Sequence, residues 1–206
     1  MSQSAGTRQR VTFAEFCDMT PPDDRRYELF DGRIVAMNQP SGRHAFLTGS
    51  LIRTLGNALA SRCHVVGPMG IYVEATDDGF APDVIVTCEP ARYDPIRGRA
   101  LVNPRALFEI LSPSTEHIDK TLKVSRYTTL PSLQEYVLVS QNEKHVQIYR
   151  RGHDRWTWQR VESGTFAICE AEIPIDAIYG GIDDFPIVEP PYETRVVRIV
   201  KSPKST

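Results

Sequence analysis

Two acidic residues sit where a folding chain least tolerates charge. Asp83 opens the run Pro82-Asp83-Val84-Ile85-Val86, and Glu109 interrupts Ala106-Leu107-Phe108-Glu109-Ile110-Leu111. Short apolar runs of this kind read as buried strands. An ionised carboxylate there is costly unless something pairs with it or coordinates it. Lys123 supplies a cation on the helix that follows, and the three together suggest a divalent-metal site for phosphodiester hydrolysis. Alternation also leaves open that Glu109 points to solvent at a sheet edge.

Composition sets the frame for that site. A chain of 206 residues, 41% hydrophobic, builds one ordinary globular core. A net charge of -2 excludes a strong general attraction to nucleic acid or anionic membrane, so DNA binding would rest on a local basic surface. No apolar run approaches ~18 residues, so no membrane helix is expected. Met1-Ser2-Gln3-Ser4-Ala5-Gly6-Thr7-Arg8 lacks the apolar segment of a secretory signal, which points to a cytoplasmic protein. Cys17, Cys63, Cys88 and Cys169 are scattered without a C-x-x-C pair and read as buried, reduced thiols. The histidines form no H-x-x-x-H arrangement, and zinc is not expected.

Residues 1–10 read as a disordered start and 186–206 as a Pro-rich tail, with one domain over 11–185. Thr12 and Glu15 have capping-box spacing and introduce a short helix to about Met19. Asp31-Gly32, between Tyr27–Phe30 and Arg33–Met37, signals a hairpin. His44–Arg62 reads as the longest helix. Strands over Val65-Val66 and Ile71–Glu74 precede a turn at Asp77-Asp78-Gly79. A polar loop from Glu89 to Pro104 joins the two acidic strands, and a helix follows to about Thr129. Tyr136–Val139 reads as a buried strand, and His145–Arg150 and Trp156–Val161 alternate after it in an antiparallel meander, with Tyr149, Trp156 and Trp158 read as packing residues. The fold class is α/β (α+β): a mixed sheet core flanked by helices.

The chemistry follows from the residue types. Mg²⁺ takes carboxylates, a backbone carbonyl and waters, and Mn²⁺ can substitute; Asp83, Glu109 and the carbonyl of Ile110 are the candidate ligands. Lys123 near the attacking water can orient it, lower its pKa or neutralise charge. Asp119, Lys123 and Tyr127 are spaced i, i+4, i+8 and share one helix face, whereas Lys120 sits about 60° away. Arg92, Arg97, Arg99 and Arg105 surround the long loop as a candidate phosphate-contact patch, with a solvated loop as the alternative.

Pro82-Asp83 followed by Glu109-Ile110-Leu111 resembles the PD-(D/E)XK nuclease superfamily, although that pattern would put lysine at position 111. The departure is similar to one bacterial branch, the Uma-two family, in which the lysine is carried on the next helix. Tyr27–Gly32, Pro40–His44, Glu109–Thr115, Asp119, Lys123, Tyr127 and Glu135–Val139 carry the same resemblance. It implies a restriction-endonuclease-like fold and a Mg²⁺-dependent DNA endonuclease, with Glu28 as an additional metal or water ligand and His44 as a phosphate contact. A non-catalytic nucleic-acid- or partner-binding module on the same fold, and a hydrolase of another phosphodiester, remain open. An exposed meander strand also offers a surface on which two copies can pair as a homodimer.

Overall fold

The structure, a computed structural model, describes residues 10–113 and 115–187. The disordered start and the tail expected from sequence lie outside these residues, apart from Arg10, which pairs with Asp31, and Pro186-Ile187.

Local signals begin the fold. Thr12 caps α1 (Phe13–Cys17) through a complete capping box with Glu15. The strands β1 (Tyr27–Phe30) and β2 (Arg33–Ala36) close on Asp31 and Gly32, both at positive φ (50° and 68°), the geometry that matches strand twist in a two-residue hairpin. Ser41 then caps α2 (Gly42–Leu59) by accepting the His44 N–H at 3.1 Å. Leu47, Leu51, Leu55 and Leu59 recur every fourth residue and are fully buried along one stripe.

Next come β3 (His64–Val66), β4 (Ile71–Val73) and β5 (Asp78–Phe80). Here the expected turn at Asp77-Asp78-Gly79 is corrected: only Asp77, at φ 57°, turns. Asp78 is instead fully buried and accepts the Asp31 N–H (2.7 Å) and the Thr76 hydroxyl (2.6 Å). Gly79 pairs with Leu29 and Tyr72, and a Cβ there would meet the Phe13 ring at 2.9 Å. The strands β1, β2, β4 and β5 form an antiparallel four-stranded sheet in the order β2-β1-β5-β4.

The second sheet carries β6 (Val84–Thr87), β7 (Ala106–Leu111), β8 (Glu135–Ser140), β9 (Val146–Arg151) and β10 (Trp156–Val161), in the order β10-β9-β8-β7-β6-β3. All neighbours are antiparallel except β7 and β8. A parallel pair needs a crossover. It is a helical run of α3 (Glu116–Ile118), a π-helical turn (Asp119–Lys123) and α4 (Val124–Tyr127), so the single helix expected to Thr129 is wider at its centre and ends earlier.

The sheet is covered on both faces. Val84, Val86, Phe108, Ile110, Val137 and Val139 pack under α2. Ile85, Leu107, Leu111, Tyr136 and Leu138 pack with Tyr127 and Leu130 of the crossover. A hairpin of β11 (Thr165–Ile168) and β12 (Ala171–Pro174), and then α5 (Ile175–Tyr179), complete the α2 side. Sequence reading missed these three, whose strands are only four residues long.

Two further expectations are corrected. Cys63 and Cys88 form a disulfide, because they face each other across the end of the β3–β6 ladder. Trp158 is 65% exposed, since β10 lies at the sheet edge, while Trp156 packs under Arg151.

The α2 stripe is the firmest attachment of helix to sheet. Leu55→Ala is expected to lower stability by about 2–5 kcal/mol, read as a shifted urea midpoint with unchanged slope.

Candidate active site

Alternation decides which side chains meet. Leu107 and Leu111 face the crossover, so Glu109 between them faces it too. On β1, Tyr27 and Leu29 join one core while Phe30 packs with the crossover, so Glu28 points the same way as Phe30. Two strands from different sheets thereby aim buried carboxylates at one stretch of helix.

Lys123 meets them there. Its Nζ donates to Glu109 Oε1 (2.9 Å) and Glu28 Oε1 (3.1 Å) and lies 3.2 Å from Asp119 Oδ1. Tyr127 Oη donates to the same Glu109 oxygen at 3.0 Å, and the Ala81 N–H donates to Glu28 Oε1 at 2.9 Å. Lys123 is 1% exposed and Glu28, Glu109 and Asp119 no more than 4%. Lys120, by contrast, pairs with Glu116 on the outer side of the run.

Asp83 stands beside this group. It precedes β6, and its N–H continues the ladder to the Phe108 carbonyl (3.0 Å) while Oδ2 accepts the Ile110 N–H (2.9 Å). His44 Nε2, in the first turn of α2, lies 3.1 Å from the same oxygen, and Arg26 Nη2 is 3.8 Å from Oδ1. These residues line an open cleft, walled by Met37–Ser41 and floored by Asp83, Glu109, Ile110, Asp119 and Lys123.

Electrostatics follow from burial. Burial drives the Glu109 carboxyl well above the usual carboxylate range, against the pull of Lys123 and with the charges of Asp119, Asp83 and Glu28. Burial also raises Asp119, again opposed by Lys123. Burial alone would lower the Lys123 ammonium, but Glu109, Glu28 and Asp119 outweigh it and hold it well above lysine's ordinary range. Asp83 goes the other way: burial would raise it, yet His44, the Ile110 N–H and Lys123 keep its carboxyl low.

The structure therefore brings together Asp83, Glu109, Ile110 and Lys123 with Glu28, His44, Asp119 and Tyr127. It does not bring the loop arginines there. Arg97 forks onto Asp18, Arg99 donates to the Cys17 carbonyl, the Arg92 N–H bonds Asn103, and Arg105 acts on Glu135 and Cys169. The guanidinium that lines the cleft is Arg26, which sequence reading missed because nothing periodic marks the residue before β1. Gln141 was missed as well. It lines the cleft just after β8 and accepts from Ser41 at 2.8 Å. The parallel β7–β8 pair was the available signal, because ligands gather beyond the carboxyl ends of parallel strands.

Comparison with known proteins agrees with this architecture. The model of the family Uma2 (Uma-two), described as "Putative restriction endonuclease", matches residues 13–178. Two uncharacterised proteins of Synechocystis are each 30% identical: sll1609 over 72% of this chain and 85% of its own length, and slr1290 over 76% and 85%. A crystal structure of a "putative nuclease belonging to DUF820" from Anabaena variabilis superposes with TM-score 0.67 at 17% identity, covering 84% of this chain and 99% of that one.

Removing the central cation tests the electrostatics. In Lys123→Met the buried carboxyls titrate higher in the folded protein than in the unfolded chain. The stability this allows is complete below the unfolded carboxylate range and is lost as pH rises through the folded values. Urea unfolding should show a loss of about 3–5 kcal/mol near pH 8 that shrinks towards about pH 5.

Proposed function

The chain belongs to the Uma2 family, and on that premise we propose that it is a divalent-metal-dependent nuclease that hydrolyses DNA phosphodiesters in this cleft. The observation that carries the reading is four buried carboxyl groups gathered around two cations. When ionised, Asp83, Glu109, Glu28 and Asp119 face two fixed cations, Lys123 and Arg26. Two negative charges remain, the amount that one hard divalent cation offsets, and carboxylate oxygen is the donor such cations prefer.

The donor set fits Mg²⁺, with Mn²⁺ as a substitute. Lys123 and Tyr127 occupy Glu109 Oε1, and His44 and the Ile110 N–H occupy Asp83 Oδ2. Glu109 Oε2 and Asp83 Oδ1 are thus the oxygens offered to a metal, together with the Ile110 carbonyl. Bound there, the ion supplies Lewis-acid stabilisation of phosphoryl oxygen and acidifies an attacking water.

The chain's own groups do the rest. Lys123 stays protonated among its carboxylates, so it serves as a fixed cation and donor that orients water and offsets transition-state charge, not as a proton acceptor. Glu28 and Asp119 hold that ammonium in place. Arg26, 38% exposed at the cleft, meets substrate phosphate with its planar fork, and His44 adds a second contact.

The test is incubation of purified protein with plasmid, single-stranded DNA and RNA in Mg²⁺, Mn²⁺ or EDTA. DNA cleavage is expected in either metal and none in EDTA. Asp83→Ala, Glu109→Ala and Lys123→Ala should each lose about a thousandfold or more while remaining folded by circular dichroism. Arg26→Ala should chiefly raise KM, by about tenfold. Sustained cleavage in EDTA, or full activity in all three variants, overturns the reading.

A pH dependence accompanies it. Metal-free Glu109 holds its proton above the usual carboxylate range, so a metal must displace that proton. Half-saturation by Mg²⁺ should therefore tighten by up to about tenfold per pH unit until Glu109 ionises by itself, as read by metal titrations across pH.

A further inference from the structure

Three of the four cysteines converge far from the cleft, although no sequence spacing links them. Cys63 follows α2, its N–H returning to the Leu59 carbonyl at 2.9 Å. Cys88 follows β6, and Cys169 opens the turn between β11 and β12. The sulfur atoms of all three lie within 4.8 Å of one another. Asp83 and Cys88 flank β6 at opposite ends, about 16 Å apart along an extended strand, so this cluster is separate from the nuclease site.

The hairpin turn is an unusual way to hold a side chain. Cys169 and Glu170 both have positive φ (47° and 67°), and they join Ile168 to Ala171 as a two-residue turn. Such turns favour Asn and Gly, because an L residue in this conformation is strained. Polar contacts anchor the strained tip. Glu170 pairs with Arg62 (3.7 Å), and the Cys169 N–H donates to Glu135 Oε1 (3.4 Å). Cys169 Sγ itself lies 3.8 Å from Glu135 Oε2.

We propose that this cluster is a soft-metal site: once the Cys63–Cys88 bridge is reduced, the thiolates of Cys63, Cys88 and Cys169 together bind one thiophilic divalent cation of the zinc class. The reductant is a dithiol or a phosphine. It delivers two electrons, and two protons complete the two new thiols while the dithiol becomes a disulfide, or the phosphine takes oxygen from water. Metal binding then displaces three protons and leaves a three-thiolate complex of net charge minus one.

Several features of the place suit that complex. Zinc binds thiolate at roughly 2.3 Å, which sets tetrahedral sulfurs somewhat under 4 Å apart; Cys169 Sγ already lies within 4.8 Å of the other two, which part from each other on reduction. Arg105, which acts on Cys169, offsets the surplus negative charge. Glu135 or water is available to complete four-coordination. Cys88 is partly exposed, which gives reductant and metal a way in.

The experiment uses the full chain with excess Mg²⁺, so that oxygen ligands elsewhere are occupied. The protein is reduced with a phosphine, desalted anaerobically and titrated with Cd²⁺, whose thiolate complexes absorb in the ultraviolet, followed by competition with Zn²⁺. One equivalent is expected to bind with the thiolate band after reduction, and none before it. Cys169→Ser and the partly exposed Cys88→Ser should each weaken binding by roughly a hundredfold, while Cys17→Ser changes nothing. If one of the two fails to fold by circular dichroism, the other carries the comparison. Absence of a thiolate band in the reduced protein overturns the proposal, as does undiminished affinity in a folded Cys169→Ser or Cys88→Ser. DNA cleavage is not the readout, so failure here leaves the nuclease reading untouched.

Discussion

The ammonium of Lys123, enclosed by Glu28, Glu109 and Asp119, is the interaction on which the arrangement of the whole cleft depends. Each partner comes from a different element: a strand of the small sheet, the centre of the large sheet, and the preceding turn of the same helical run. Removing this many charges from water costs several kcal/mol per ion, which their mutual attraction offsets only with good geometry. A well-packed apolar cluster would serve stability at least as well. The polar cluster therefore makes physical sense as a device that fixes where carboxylate oxygens stand, and the two leucine-rich layers around it supply the stability.

The crossover explains why a lysine on a helix can serve a strand glutamate. A parallel β7–β8 pair forces the connecting chain over one sheet face, and that face is the one to which Glu109 points. Position 111 points there too, but Leu111 is spent on the apolar layer beside Tyr127 and Leu138. The π-helical turn ends at Lys123 itself, and wide turns of this kind recur where a side chain must be aimed at a functional site.

Much of this was legible in the chain because the signals were local. The capping box at Thr12, the Asp31-Gly32 hairpin and the leucine stripe of α2 each depend on residues a few positions apart. Asp83 and Glu109 stood out because charge in an apolar strand needs an explanation. Other features depend on distant partners. Asp78-Gly79 reads as a turn until Asp31, Thr76 and the Phe13 ring are in place. The Cys63–Cys88 bridge follows from the register of β3 on β6, and Arg26 and Gln141 join the cleft only once two sheets and a parallel strand end are assembled.

The bond from the Ile110 N–H to Asp83 carries a consequence for evolution and design. Where β6 begins, a side-chain carboxylate takes over the acceptor role that a further backbone carbonyl would have filled. Strand pairing and the placement of the acidic cleft therefore share one ruler. A slip of β7 by a single residue would swing Glu109 beneath α2 and present Phe108 or Ile110 to Lys123. The 89–104 connection is itself ordered, with Asp94, Leu101 and Asn103 buried, so insertions there are least disruptive at its exposed residues. Inside either strand they would dismantle the pocket even where the hydrophobic layers could re-form.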